Sequence, residues 1–338
     1  MFLRLKEMTT IGTSLKMSVY IIFLLVLAFL ICQRFLRRLK IARIYDKYVL
    51  ITGCDSGFGH LLVKRLDSRG VNVFAGCLTE EGKEKLDKAT SNRVTSLLLD
   101  VTDEESVKKA REFVKSRLPC GRGLHGLVNN AGIADSVSLL LSEWIPIDDY
   151  KRLMDVNLYG MIRVTSQFLP LVRAERGRIV NMSSVFGRLM AAGGAPYVCS
   201  KFAVEGYSDT LRQENYTAGV QVSILEPSGY KTNIADVEKL KEKVRDYFKR
   251  QDEDIKEYYG NDYPEQIIKN MMGEHILSSR LYHVVDAYEH ALTSKFPQAR
   301  YVVGKDSNTY IWFLYLAPEW LTAKIIGTLN WPLPEALA

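Results

Sequence analysis

Hydrophobic and polar positions follow four rhythms along this chain. Residues 17–32, from Met17 through Val19-Tyr20-Ile21-Ile22-Phe23-Leu24-Leu25-Val26 to Cys32, carry no charge over sixteen positions. From about residue 47, apolar runs of four to six residues alternate with amphipathic stretches of ten or more. The runs 48–52, 71–76, 94–99, 126–129, 178–182 and 220–225 read as strands. Stretches 57–69, 80–89, 104–118, about 149–173 and 197–217 read as helices, the fourth stopping around Pro170. In 104–118, for example, Val107, Ala110, Phe113 and Val114 share one helical face. Short apolar strands between long helices predict a Rossmann-like α/β fold, a doubly wound parallel sheet covered on both faces.

From 230 to 280 the chain turns charged and tyrosine-rich, with Val237, Leu240, Val244 and Phe248 on one helical face. This predicts a helical cover over a site rather than a separate domain. A helix near 281–294 and a strand near 300–303 return to the sheet. The tail, 306–338, is apolar again through Tyr310-Ile311-Trp312-Phe313-Leu314-Tyr315-Leu316, and is broken by Pro318, Glu319 and Lys324. It packs on the core, lines an apolar entrance, or rests at a membrane interface, where Trp and Tyr are favoured.

The first apolar run changes the picture most. A full bilayer span needs about 20 residues, so a sixteen-residue core sits short, with Lys16 and Arg34 snorkelling to the headgroups. No small-residue cleavage site follows it, which favours a retained anchor over a signal peptide or a presequence. The organisation is then a tail (1–16), an anchor helix (17–33), a basic linker (34–46), the α/β domain (47–305) with its cover (230–280), and the apolar tail. Of the net +6, the first 47 residues hold nine Lys/Arg against Glu7 and Asp46. The remainder is close to neutral, which argues against a nucleic-acid surface. Six of those cations follow the anchor, and the positive-inside rule then puts the main domain in the cytosol. Asn181-Met182-Ser183 and Asn215-Tyr216-Thr217 match glycosylation acceptors, and would matter only in a lumenal domain. The five cysteines lack metal-ligand spacing and read as unpaired thiols, so we expect no metal site.

Two constellations carry chemistry. Thr52-Gly53-Cys54-Asp55-Ser56-Gly57-Phe58-Gly59 follows the first strand and opens a helix. Its glycines allow a tight turn and close backbone approach to a pyrophosphate, which the helix N-terminus favours. Asp100 with Val101 ends the third strand, where the carboxylate can bond an adenine edge. Asn129-Asn130-Ala131-Gly132 ends the fourth with little side-chain bulk. Cys77-Leu78-Thr79-Glu80-Glu81 follows the second strand without a cation, and Asp55 lies in the turn, so the reading is NAD rather than NADP.

The second constellation is Tyr197 and Lys201, at i and i+4 on a helix, thirteen residues after Ser184. A phenol titrates near 10, and a neighbouring ammonium brings it down toward use as a base. Tyr197 would exchange a proton with an alcohol or carbonyl whose oxygen Ser184 holds. Lys201 would also hold the nicotinamide ribose, and Asn157 would anchor a water leading to solvent. There is no nucleophile elbow of the hydrolase kind.

The order of these motifs resembles the classical short-chain dehydrogenase/reductase family over about residues 47–305. That family has a Pro-Gly turn after the sixth strand, then a Thr that contacts the nicotinamide amide; here the stretch reads Pro227-Ser228-Gly229-Tyr230-Lys231-Thr232, with Ser228 at the glycine. The Thr-Gly-Cys-Asp-Ser-Gly-Phe-Gly string, Gly126–Gly132 and Arg176–Asn181 are similar to the branch of retinol, 3α- and 17β-hydroxysteroid and 3-hydroxybutyrate dehydrogenases. The resemblance implies NAD, lipophilic alcohols or ketones as substrates, membrane attachment, and homo-oligomers built through the helices near 149–173 and 197–217. We therefore expect a protein of the endoplasmic reticulum membrane, with a mitochondrial membrane as the alternative. 3-Hydroxybutyrate is the other substrate class, since Ala195-Pro196-Tyr197 resembles the hydroxybutyrate enzymes of the branch and Arg188 could meet a carboxylate. A non-catalytic binding protein would show a broken Ser/Tyr/Lys set, and here the set is intact.

Overall fold

The computed structural model describes residues 2–134, 140–189, 193–231, 237–271, 278–304, 311–330 and 334–337. The chain divides into two compact units, 1–42 with 293–297, and 43–292 with 298–338.

In the first unit, helix α1 spans Phe2–Arg38, longer at both ends than the apolar run. Its stretch Tyr20–Arg38 is long and apolar enough to cross a membrane, and Tyr20 to Val26 are all exposed. Beyond it, Ile41 N–H donates to Thr293 O at 2.8 Å, and Ser294 Oγ donates to Arg37 O at 3.0 Å.

The second unit contains β1 (Tyr48–Thr52), α2 (Gly57–Ser68), β2 (Asn72–Cys77), α3 (Glu80–Ala89), β3 (Val94–Leu98), α4 (Glu104–Arg117) and β4 (Gly126–Asn129). Then come α5 (Ile147–Met154), α6 (Met161–Ala174), β5 (Arg178–Met182), α7 (Ala195–Glu214) and β6 (Gln221–Pro227). The cover is α8 (Val237–Lys249), α9 (Glu253–Tyr259) and α10 (Tyr263–Met271). Helix α11 (Tyr282–Thr293), strand β7 (Arg300–Val303), α12 (Trp312–Leu316) and α13 (Glu319–Asn330) complete the order.

The seven strands form one parallel sheet, β3-β2-β1-β4-β5-β6-β7. Strand order reverses between β1 and β4, which opens a crevice at their C-terminal ends, where such sheets bind ligands. Strands β4 and β5 are buried along their whole length, as a sheet covered on both faces requires. One face packs Leu62, Val63, Leu66, Val284, Tyr288 and Leu292 against the strands; the other packs Val107, Val114, Val164, Phe168 and Val172.

The helix expected over 149–173 is two helices joined by a π-helical segment, Asp155–Gly160. The wider turn brings the Asn157 side chain against Ile133 and Ser200. Pro170 does not end α6. It removes one intrahelical donor, but fully buried Phe168 and Val172 hold the last turn on the core, and the helix runs to Ala174. Both glycosylation matches lie on buried asparagines, Asn181 and Asn215, whose amides are hydrogen-bonded inside the domain. The tail divides its faces. Ile311 and Leu314 are buried, while Trp312, Phe313, Leu316 and Trp320 stand exposed.

Candidate active site

Four segments meet at the crevice: the turn after β1, the turn after β4, the end of β5 and the first turns of α7. The β1 turn is shaped by Gly53 (φ 70°) and Gly57 (φ 63°), a backbone region that side chains disfavour. A Cβ on Gly53 would lie 2.8 Å from Ala131 Cα, and one on Gly59 would lie 2.3 Å from Gly53 O. These two glycines let the β1 and β4 turns and the start of α2 pack backbone to backbone. At Gly57 there is open space, with no atom within 4 Å of where a Cβ would stand. Ser56 precedes α2 without capping it, so the first-turn N–H groups are left for an anionic ligand. The Phe58 ring meets Tyr230 edge-on at 5.6 Å and walls the turn on one side. Open backbone at Gly57 beside uncapped helix donors fits a dinucleotide pyrophosphate.

Asn130, a residue the sequence reading passed over, locks this arrangement. Its Nδ2 donates to Thr52 O at 2.9 Å and Gly53 O at 3.0 Å, and its Oδ1 accepts from Tyr288 OH at 3.1 Å. Thr52 Oγ1 accepts in turn from Asn130 N and Ala131 N. Asn129 points the other way, as its neighbour on a strand must. Its Nδ2 donates to Thr165 Oγ1 and Asn181 Oδ1 in a buried network, so the side chain faces away from the crevice.

Asp55 accepts from Leu78 N, Thr79 N and Thr79 Oγ1 at 2.8–2.9 Å, tying the glycine turn to the loop after β2. Asp100 accepts from the backbone and hydroxyl of Thr102. Val101 is buried against Gly160, where a Cβ would come within 2.7 Å of it. Pro227 ends β6, and Ser228 N–H donates to Val303 O at 2.8 Å, so the serine at the glycine position extends the sheet register by one bond. Thr232 lies outside the described residues.

Helix α7 begins after Gly194 (φ 69°), with Pro196 in its first turn where a missing N–H costs nothing. That start presents Tyr197 and Lys201 on one face. The Tyr197 phenol lies near enough to Ser184 for that hydroxyl to lower its pKa, and Ser184 Oγ accepts from Phe186 N at 3.2 Å. Lys201 is buried; its Nζ donates to Met182 O at 3.1 Å and lies 5.6 Å from the Tyr197 ring centre. Gly132 leaves room beside this ammonium, 3.7 Å from where a Cβ would stand. The Asn157 side chain bonds Ile133 N, Ile133 O and Ser200 Oγ at 2.8–3.0 Å, and Ser200 Oγ donates to Tyr197 O. Through these bonds Asn157 braces α7.

Burial decides the electrostatics. It raises the Tyr197 phenol above 10, against the lowering effect of Ser184. It lowers Lys201 to about 8, against the opposing effect of Glu205 one turn later. The expectation that the ammonium pulls the phenol down is thus reversed: enclosure disfavours both charged forms. Tyr197 at rest is a neutral phenol beside the Ser184 hydroxyl, a pair that can donate a proton and a hydrogen bond to an oxygen.

A doubly wound parallel sheet with a dinucleotide cradle at its switch point, beside a Ser/Tyr/Lys group, defines the class: an oxidoreductase acting on a CH–OH group. The chain belongs to the short-chain dehydrogenase family, whose model matches residues 47–243. It is 46% identical over 275 residues to the dehydrogenase/reductase SDR family member 9 of Bos taurus, covering 81% of this chain and 85% of that one. It is 44% identical over 293 residues to retinol dehydrogenase 7 of Rattus norvegicus, covering 86% and 91%. With 17-beta-hydroxysteroid dehydrogenase type 6 of Bos taurus it shares 44% over 320 residues, covering 94% and 99%. A short-chain dehydrogenase from Streptomyces avermitilis superposes with TM-score 0.63 at 25% identity, covering 78% of this chain and 91% of that one. One from Burkholderia cenocepacia, in complex with NADP, gives 0.63 at 20%, covering 83% and 97%, a likeness of fold.

Proposed function

We propose that this chain interconverts a lipophilic alcohol, a retinoid or a 3α- or 17β-hydroxysteroid, with its aldehyde or ketone, using NAD. The observation that carries the reading is the apolar wall behind the proton-carrying side chain. Cover helices α8 and α10 bring Val244, Phe248, Tyr263 and Ile267 onto Trp144 and Leu153, and the rings of Tyr197 and Tyr259 pack on that cluster. Such a wall suits a terpenoid or steroid body, whose burial is worth about 25 cal/mol per Å². The relatives named for retinol and 17β-hydroxysteroids point the same way.

In oxidation Ser184 holds the substrate oxygen, and Tyr197, once ionised, takes its proton. In reduction the neutral phenol gives that proton to the forming alkoxide. Lys201 supports the ionised phenol and holds a ribose hydroxyl, while Asn157 fixes α7 through Ser200. The bound dinucleotide supplies the hydride acceptor or donor. Gly53, Ser56, Gly57, Phe58, Gly59, Ala131 and Gly132 would hold its phosphate and nicotinamide ends, and Asp55 and Asp100 would serve the adenosine. NAD is favoured because Asp55 stands at the loop after β2, and Lys83, the first cation along the chain after that strand, is paired with Glu80 at 3.3 Å. A small 3-hydroxy acid fits less well, since Arg188 is committed to Glu226 and the Tyr315 ring. The N-terminal helix anchors the protein, with its catalytic part in the cytosol, in the endoplasmic reticulum membrane. Tyr159 and Phe202, left exposed on the 155–160 segment and α7, mark the surface for a homo-oligomer.

The test is NADH formation by the detergent-solubilised full chain with all-trans-retinol, androsterone, estradiol and 3-hydroxybutyrate, each with NAD and NADP. Turnover of retinol or a steroid with NAD is expected. Turnover of 3-hydroxybutyrate alone would reverse the substrate reading, and a clear preference for NADP would reverse the cofactor reading.

A further inference from the structure

The loop that carries Ser184 is held from the C-terminal tail. After Ser184 the chain makes a short turn, Val185–Gly187, and buries Val185 and Leu189 against Ile311 and Leu314, with Tyr315, Val302 and Ile325 packed around them. Tyr315 OH lies 3.2 Å from Val185 O and 3.1 Å from Glu226 Oε2, so its one proton is shared between the two acceptors. The Arg188 guanidinium lies 4.0 Å over the centre of the Tyr315 ring and 3.5 Å from Glu226 Oε2. Glu226 itself is completely buried at the end of β6 and paired with Arg300 at 3.1 Å. Arg300 also reaches Glu205 at 3.0 Å, one helical turn after Lys201. The loop presses on that same carboxylate, since a Cβ on Gly187 would stand 3.0 Å from Glu205 Oε1. Exposed Trp312 and Phe313 flank this inward face, so Tyr315 is the polar anchor of an otherwise greasy segment.

We propose that Tyr315 is a positioning residue, which fixes the Ser184 loop by holding Val185 O and the Arg188–Glu226 pair, and so sets where Ser184 meets the substrate oxygen. The proposal rests on the reading that Ser184 holds that oxygen. Val185 O also accepts from Arg188 N and Leu189 N inside the loop, and these bonds give the turn its shape. The phenol acts from outside the turn, on its position relative to Tyr197. A catalytic hydroxyl displaced by a fraction of an ångström loses rate, while the phosphate cradle at the β1 turn is untouched.

Tyr315→Phe keeps the ring under Arg188 and removes only the hydroxyl. In the full chain in detergent, kcat with androsterone or all-trans-retinol is expected to fall about tenfold, with NAD affinity unchanged. The double variant with Ser184→Ala should be no slower than Ser184→Ala alone. Amide hydrogen exchange at 185–189 should speed up in Tyr315→Phe, a readout that needs no substrate. Multiplying effects in the double variant, an unchanged kcat, or unchanged exchange at 185–189 would each overturn the proposal. If Ser184→Ala itself turns over at the wild-type rate, the assignment of Ser184 fails and the proposal falls with it, a result visible in that variant alone.

Discussion

Asn130 offers the sharpest link between packing and cofactor binding. Asn130→Ala removes two donations, to Thr52 O and Gly53 O, and one acceptance, from Tyr288 OH. Tyr288 is fully buried, so its hydroxyl loses its partner without gaining water. A buried orphan of this kind costs about 1–3 kcal/mol, and each net hydrogen bond to the turn about 0.5–1.5 kcal/mol. The variant should therefore lose roughly 2–6 kcal/mol of stability. Gly53 is held at φ 70° by this clamp, and its release frees the pyrophosphate turn. NAD affinity, measured by fluorescence titration, should drop about tenfold or more, as 1.4 kcal/mol is a factor of ten, while kcat at saturating NAD changes less. Asn130→Asp sharpens the case. It keeps the acceptor for Tyr288 but turns an oxygen toward two carbonyls, and should bind NAD no better than the alanine variant. Loss of thermal stability with wild-type NAD affinity in both variants would refute the claim that this amide shapes the cofactor turn.

Other outcomes follow from the same geometry. Gly59→Ala puts a methyl 2.3 Å from Gly53 O, a clash with backbone that cannot swing aside, and should weaken NAD binding more than ten times by titration. Burial leaves Lys201 at about 8 and the phenol raised, so the pair sheds its first proton just above neutrality. Oxidation, which needs the ionised phenol, should go on rising with pH beyond 8 toward the raised phenol range, whereas reduction, which needs the neutral phenol, should weaken only in that range. In Lys201→Met the inflection of the pH–rate profile should move upward; an unmoved inflection would remove Lys201 from the proton path. The lowered lysine also means that the folded state binds fewer protons than the unfolded chain, so this group favours folding increasingly as pH rises above about 8.

Much of this architecture can be read from the sequence because strand and helix periods differ, and because Gly53, Gly57, Ser184, Tyr197 and Lys201 are local signals. Strands β1, β4 and β5 are short apolar runs whose meaning is set by the helices between them. What escapes is long-range. Asn130 and Tyr288 are 158 positions apart, and nothing in either neighbourhood announces a pair. Tyr315 reads as one more aromatic in a greasy tail, yet its hydroxyl reaches Glu226 and Val185. The π-helical turn at 155–160 depends on Asn157 reaching Ile133, a contact no helical periodicity encodes. Pro170 misleads for a related reason, since tertiary packing of Val172 outweighs the single missing donor. The direction of the Tyr197 shift was inverted because spacing reveals a neighbouring charge but not the depth of burial, and burial is the larger effect here.

The central claim is that Tyr197 carries the proton of a lipophilic alcohol. The most direct measurement is the steady-state rate of Tyr197→Phe with NAD and either all-trans-retinol or androsterone, taken with its NAD affinity. The account expects NAD to bind as in the wild type and turnover to fall by at least about a hundredfold, the low end of what general acid–base groups contribute. Wild-type turnover by the phenylalanine variant would contradict it.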